Sequence, residues 1–244
     1  MVIGLEQVLV IVPAWNEELN VGNTVTEIRS VLPTTDVLVV DDGSTDGTRA
    51  AAEQAGARVL SLPFNMGVGG AMRAGYLYAK RGPYAAAIQV DADGQHDPVD
   101  IPRIVAALDG ADIAIGARFA DRGDYRATGP RRWAMSFLAT VVSRLAKTRL
   151  TDVTSGFRAG NRRAIEQYAL YYPAEYLGDT IDSLVAAIHQ GLTVSQVAVA
   201  MRPRMHGRPS QGFMGSAIYL MRSIMALGLA MMRRPVATTK RTPQ

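Results

Sequence analysis

The chain has 244 residues, 48% of them hydrophobic and 20% charged, which is a globular balance and excludes a disordered, collagen-like or coiled-coil protein. It contains no cysteine, so disulfides, thiolate metal sites and cysteine nucleophiles are excluded too. The net charge of +4 is unevenly spread: residues 1–100 carry 6 basic and 13 acidic side chains, and residues 101–244 carry 20 and 9. One half therefore suits cations. The other suits anions such as a phosphorylated ligand, a nucleic acid or an acidic membrane surface.

The opening residues Met1–Glu6 lack a basic n-region, and the apolar run Val8–Val12 is too short for a signal peptide. That run, ended by Pro13, predicts a central strand. Helical spacing of Val21, Val25, Ile28 and Leu32 predicts a helix over 20–32, closed by Pro33. A second strand, Val37–Val40, runs into Asp41-Asp42-Gly43-Ser44, and an alanine-rich helix follows over Asp46–Gly56. The pattern then repeats: strand Arg58–Leu62, helix Gly67–Arg81, strand Ala85–Val90, helix Val99–Leu108, strand Ile113–Phe119. Beyond a polar loop come an amphipathic helix over Arg131–Lys147, helices near 161–169 and 179–190, and a strand Thr193–Met201. Strands separated by helices of this length predict an α/β fold: a mostly parallel, Rossmann-like sheet with helices on both faces. Ligands of such sheets bind at the carboxyl ends of the strands. Polar clusters stand there: Trp15-Asn16-Glu17, Asp41-Asp42, Asn65-Met66-Gly67 and Asp91-Ala92-Asp93.

Asp91 and Asp93, just past a buried strand, can both face a hard divalent cation, and Gln95 adds a neutral oxygen at the same spacing. The competing readings are a solvated Asp-Gly turn and an EF-hand, and the latter fails because its twelfth position is Pro102. A carboxylate in Asp41-Asp42 can accept from a base or a ribose hydroxyl, while Ser44 or Thr45 is expected to cap the next helix. Gly67-Val68-Gly69-Gly70 does not satisfy a dinucleotide fingerprint, and close helix packing explains it equally well. Arg118, Arg131, Arg132, Arg202, Arg204 and Arg208 are suited to phosphate. His96, His189 and His206 are scattered, which argues against a histidine metal site. No aromatic-basic platform for nucleic acid is present.

In order along residues 6–211, Val12-Pro13-Ala14-Trp15-Asn16-Glu17, Val40-Asp41-Asp42-Gly43-Ser44, Asn65-Met66-Gly67, Asp91-Ala92-Asp93-Gly94-Gln95-His96, Thr154-Ser155-Gly156-Phe157-Arg158 and Arg204-Met205-His206-Gly207 resemble a family 2 glycosyltransferase of GT-A fold. Within that family the strings are similar to those of dolichol-phosphate mannose synthases and bacterial polyprenyl-phosphate glycosyltransferases. The resemblance implies an inverting, nucleotide-sugar-dependent hexosyltransferase that takes a UDP- or GDP-linked donor with Mg²⁺ or Mn²⁺. It implies nucleoside contacts from Pro13, Trp15, Glu17, Asp41, Asp42 and Asp91, and metal ligation by Asp91, Asp93 and Gln95. Arg118, Arg131 and Arg132 would hold the acceptor phosphate, with Arg204 near the phosphates. Asp93, Arg118 and Asp179 would be catalytic. A lipid phosphate is largely dianionic at neutral pH and needs no strong general base, whereas a sugar hydroxyl would need one, and Asp179 or Asp182 stands where relatives keep it.

Residues 1–211 are expected to form the catalytic domain, 212–234 an amphipathic helix and 235–244 a disordered tail. Residues 213–232 are strongly apolar with a single charge, Arg222. A charge near the middle of a span costs about 3 kcal/mol on insertion scales. An interfacial helix, or one docked on a small membrane-protein partner, is therefore expected rather than a spanning one; a helix buried on the domain is the alternative. The Arg131–Lys147 helix can also lie on an anionic leaflet. The leading expectation is sugar transfer to a polyprenyl phosphate at the cytoplasmic face of the cell membrane. The alternatives are transfer to a saccharide hydroxyl in cell-envelope polysaccharide synthesis, and a non-catalytic, membrane-tethered module.

Overall fold

The computed structural model of the protein describes residues 3–117, 130–173 and 179–203, with only the backbone described at 130–134 and 179. Strands β1 (Val8–Ala14), β2 (Asp36–Asp41), β3 (Arg58–Ser61) and β4 (Ala86–Gln89) alternate with helices α1 (Val21–Val31), α2 (Thr48–Gln54) and α3 (Gly67–Arg81). Next come α4 (Ile101–Ala106), β5 (Ile113–Ala117), α5 (Pro130–Ala146), β6 (Arg158–Asn161), α6 (Arg162–Leu170), α7 (Asp179–His189) and β7 (Val194–Ala198). All seven strands share one sheet, in the order β3-β2-β1-β4-β6-β5-β7. Every pairing is parallel except those of β6, which runs antiparallel to both β4 and β5.

The apolar runs are continuous because both faces of the sheet are covered. Val8, Val10 and Val12 pack with Val21, Val25 and Ile28 of α1 and Ile101 and Ile104 of α4. Leu9 and Ile11 pack on the other face with Met72 and Tyr76 of α3, Leu138 and Val142 of α5, and Ile165 and Leu184 of α6 and α7. Strand order builds outward from β1 to β3 and then returns to the other side of β1 for β4. A right-handed crossover on that return must place α3 on the face opposite α1 and α2. Gly75 lets α3 come this close: a Cβ there would lie 2.5 Å from Ile11 Cγ2.

Two elements differ from expectation. The predicted helix Val99–Leu108 is an α-helix only over Ile101–Ala106, flanked by 3₁₀ turns at Pro98–Asp100 and Ala107–Asp109. Pro102 has no N–H to bond back to the preceding turn, so the α ladder starts late. Strand β6 is not legible from its sequence, Arg-Ala-Gly-Asn, which contains no β-branched residue. It is a strand because it fills the gap between β4 and β5, where pairing overrides propensity. The chain beyond Ala117 that was expected to extend β5 lies outside the described residues, as do residues 204–244 with their expected amphipathic helix and tail.

At the edge of the sheet away from the polar clusters, Asp112 ties four elements together. Its Oδ2 accepts from Thr193 N (2.8 Å), Thr193 Oγ1 (3.0 Å) and Arg163 Nη1 (3.1 Å), and its Oδ1 from Asn161 Nδ2 (3.1 Å). Burial pushes this carboxyl up, but the bonds from Thr193 and Asn161 and the Arg163 charge outweigh it and hold the pKa below 3.8. A group depressed on folding stabilises the protein above its unfolded pKa and loses that contribution as pH falls through the folded value. Asp112→Asn is therefore expected to cost about 2 kcal/mol at pH 7. Thermal melts from pH 7 to pH 2.5 should show the gap to wild type closing only below pH 3.8. A gap independent of pH would remove the ionised carboxylate from this role.

Candidate functional site

The crevice lies where β1 and β4 part. Their pairing ends at Ile11↔Gln89, whereas β1 stays paired with β2 as far as Ala14↔Asp41. The Ile11 carbonyl accepts from Val90 N, so alternate residues of β1 face β4. Pro13 faces that side beyond the end of the ladder, where its missing N–H leaves no gap in the pairing. The chain thus splays apart at the point where strand order reverses, the position at which open α/β sheets bind ligands.

Two loops are braced across this edge. Asn16, at φ 52°, donates its N–H to Ser44 Oγ (3.0 Å) and accepts from Thr45 N at its Oδ1 (2.9 Å). Glu17 N donates to Thr48 Oγ1 at 2.8 Å, and Glu18 Oε2 accepts from Gly47 N at 2.8 Å. The expected capping of the next helix by Ser44 or Thr45 does not occur: α2 begins only at Thr48, after Gly47, and it is Asp46 Oδ1 that accepts from Thr48 N (3.0 Å). Trp15 stands 54% exposed at the mouth, a ring free to meet a ligand. Glu17 Oε2 accepts from Asn20 Nδ2 at 2.7 Å, which places its carboxylate at the start of α1.

Asp41 and Asp42 are buried at the crevice floor. Asp41 Oδ1 accepts from Ser44 N (3.0 Å), and Asp42 Oδ1 from Met66 N (2.7 Å), at the start of α3. Burial pushes the Asp42 carboxyl up, the N–H groups of Met66 and Gly67 oppose that, and the Asp41 charge adds to it. Gly43 between these loops has φ 71°, and a Cβ there would sit 2.6 Å from the Phe64 carbonyl carbon, so only glycine fits.

After β4, exposure alternates through the loop. Asp91, Asp93 and Gln95 are half-buried, while Ala92, Gly94 and His96 between them are buried. Three oxygen-bearing side chains of this loop thus each keep part of their surface open. Among the described residues no three His, Cys, Asp or Glu side chains cluster to hold an ion. A cation here would rest on two carboxylates and an amide and complete its shell with water and phosphate oxygens, which suits Mg²⁺ or Mn²⁺. The donor set fits such an ion. The loop is held from both sides, by Thr24 Oγ1 donating to the Ala92 carbonyl (2.9 Å) and by Arg202 N donating to the Gln95 carbonyl (3.0 Å).

Arg202 is not available to phosphate as expected, because its guanidinium pairs with Glu27 and with Asp97 (2.8 Å). Arg118, Arg204 and Arg208 lie outside the described residues, and Arg131, Arg132 and Asp179 are described in backbone only, at the starts of α5 and α7. Asp182 in α7 accepts from Tyr171 Oη at 3.4 Å. Sequence reasoning missed three residues. Gly156 packs against the loop, a Cβ there falling 2.8 Å from Gln89 Nε2 and 3.3 Å from Asp91 Oδ1. His96 is buried beside it, and the wholly buried Arg158 holds the turn that carries Gly156 through the Ser155 carbonyl (3.1 Å). The Thr154–Arg158 string was itself the available signal.

A family model described as Glycosyl transferase family 2 matches residues 9–169. The chain belongs to glycosyltransferase family 2. It is a glycosyltransferase, with a GT-A-like fold. Polyprenol monophosphomannose synthase of Mycolicibacterium smegmatis is 34% identical to it over 208 residues, covering 82% of this chain and 78% of that one. Undecaprenyl-phosphate mannosyltransferase of Micrococcus luteus is 32% identical over 223 residues, covering 87% and 91%. Glucosyl-3-phosphoglycerate synthase from Mycobacterium tuberculosis, solved with Mn²⁺, uridine diphosphate and glucosyl-3-phosphoglycerate, superposes with a TM-score of 0.66 at 22% identity, covering 91% of this chain and 79% of that one. At that identity the likeness is one of fold. No helix among the described residues of this glycosyltransferase is long and apolar enough to cross a membrane.

Proposed function

We propose that this glycosyltransferase moves a sugar from a UDP- or GDP-linked donor to a polyprenyl phosphate at the cytoplasmic face of a membrane. The observation that carries the donor half is the row Asp91, Asp93 and Gln95, each partly open, in a braced loop at the crevice. The names of the two relatives support the acceptor. Pro13, Trp15, Glu17, Asp41, Asp42 and Asp91 surround the nucleoside in this reading. Asp91, Asp93 and Gln95 hold Mg²⁺ or Mn²⁺, which when bound offsets the charge growing on the departing diphosphate. Arg118, Arg131, Arg132 and Arg204 grip the phosphates of the acceptor and donor by bidentate bonds. The lipid phosphate, already dianionic, attacks without a base, so Asp179 is dispensable for a lipid acceptor and essential only for a hydroxyl one. Residues 213–232 lie along the bilayer surface or on a small membrane-protein partner.

The test is incubation with labelled UDP- and GDP-sugars, short-chain polyprenyl phosphate and Mg²⁺ or Mn²⁺. Label should pass into the organic phase only when the lipid phosphate is present, and chelator should stop it. Label entering a water-soluble glycan instead would move the acceptor to a saccharide hydroxyl. Transfer undiminished by chelator would remove the metal.

A further inference from the structure

His96 is buried at 2% exposure, one residue past the proposed ligand Gln95. Its ring stacks on Phe157 with centroids 4.5 Å apart and planes 10° from parallel. Its backbone bridges antiparallel to Met201. Three segments distant in sequence therefore meet at His96: the loop after β4, the turn before β6 against its ring and the chain leaving β7 against its backbone.

The two ring nitrogens face the same residue. Nδ1 accepts from the Asp91 backbone N–H at 3.0 Å, so Nδ1 carries no proton. The ring's proton then sits on Nε2, which faces Asp91 Oδ2 at 3.6 Å. That is beyond hydrogen-bond length, so the N–H acts on the carboxylate through its dipole. The other oxygen, Oδ1, accepts from Gln89 Nε2 at 2.8 Å, and Gly156 closes the side between them. We propose that His96 is the positioning residue of Asp91: a ring proton-bearing on Nε2 that fixes both the backbone and the carboxylate of the first acidic residue of the site. The proposal rests on the reading of Asp91 and Asp93 as the metal pair. It resembles the outer-layer partners that orient ligating side chains at metal sites. What differs is that here the histidine orients the carboxylate.

His96→Asn and His96→Gln separate the two contacts. Asparagine offers an acceptor near Nδ1 and nothing at Nε2; glutamine reaches the Nε2 position but gives up the acceptor. His96→Asn should keep the wild-type far-UV circular dichroism and melt close to wild type. Its Mn²⁺ affinity in the presence of whichever of UDP and GDP the wild type binds, read by electron paramagnetic resonance, should fall about 10-fold, the scale seen when such partners are removed. His96→Gln should lose both affinity and thermal stability. Mn²⁺ binding by His96→Asn as tight as wild type, with Asp93→Ala unable to bind, overturns the proposal and leaves the metal reading standing. Wild-type binding by Asp93→Ala overturns both. Nitrogen NMR of the unmutated protein decides the matter should the variants fail to fold: the proposal requires the Nε2–H tautomer and a His96 resonance that shifts on adding Mg²⁺ with UDP or with GDP. An Nδ1–H tautomer, or a resonance indifferent to Mg²⁺ with either nucleotide, overturns it.

Discussion

Asp93→Ala should lower sugar transfer by about 100-fold or more, the scale of losing one charge-stabilising group at a reacting phosphate. Two half-buried carboxylates follow β4, and among the described residues no group of three His, Asp or Glu side chains is arranged to hold an ion. Removing one halves the charge offered to a divalent ion. Asp93 also has a local duty, because its Oδ1 accepts from Gln95 N at 3.1 Å across a turn at Gly94, φ 76°. Asp93→Asn separates the two, since an amide oxygen can still accept from Gln95 while the charge is gone. Asp93→Asn should melt like wild type and Asp93→Ala slightly lower, and both should show the loss of transfer. Transfer assayed across a Mn²⁺ titration settles it: an Asp93→Asn enzyme as active as wild type would show that the turn, not the charge, is what Asp93 supplies.

The largest expected loss of stability is that of Arg158→Ala, about 4 kcal/mol, from a cavity plus unpaired buried carbonyls. For a chain of this size that is a fall in melting temperature of about 10 °C. The guanidinium is wholly buried. Its Nη1 donates to the Thr180 carbonyl in the first turn of α7 (2.9 Å), and its Nη2 to the carbonyls of Ser155 (3.1 Å) and Val153 (3.4 Å). Burial raises the pKa of the Tyr76 and Tyr168 hydroxyls beside it, and the Arg158 charge opposes that rise. One cation thus pins the turn that carries Gly156 to the helix that carries Asp179. Arg158→Met fills most of the space without the donors and should melt between the two. Calorimetry showing less than about 3 °C of loss in Arg158→Ala would mean that water satisfies those carbonyls as well as the cation does.

The carboxylates of the site were legible in the sequence because each follows a strand with a strong pattern. Val8–Val12, Val37–Val40 and Ala85–Val90 are apolar runs, and Asp41 and Asp91 mark where they end. Helix α3 has the limits that the sequence predicts, Gly67–Arg81, with Gly67 opening it. What was not legible depends on partners far away. Arg158 looks like a surface cation until β6 is seen between two strands. Arg202 looks like a phosphate ligand until Glu27 and Asp97 are found beside it. Ser44 looks like a cap until the helix is seen to begin at Thr48, and its hydroxyl accepts instead from Asn16 N. Local composition cannot separate a side chain that waits for a ligand from one already satisfied at long range.

The family signature ends at residue 169, yet β7 lies alongside β5 and the next residues grip the loop after β4. A fragment cut at the signature boundary would keep every proposed metal ligand and lose the strap across them. Modular fusions or graftings of this catalytic unit therefore have to carry the chain at least to residue 202. Met201 and Arg202 also make a mechanical joint, with the main chain of residue 202 bonded to that of residue 95. A pull on the chain beyond residue 203 is felt first at Gln95.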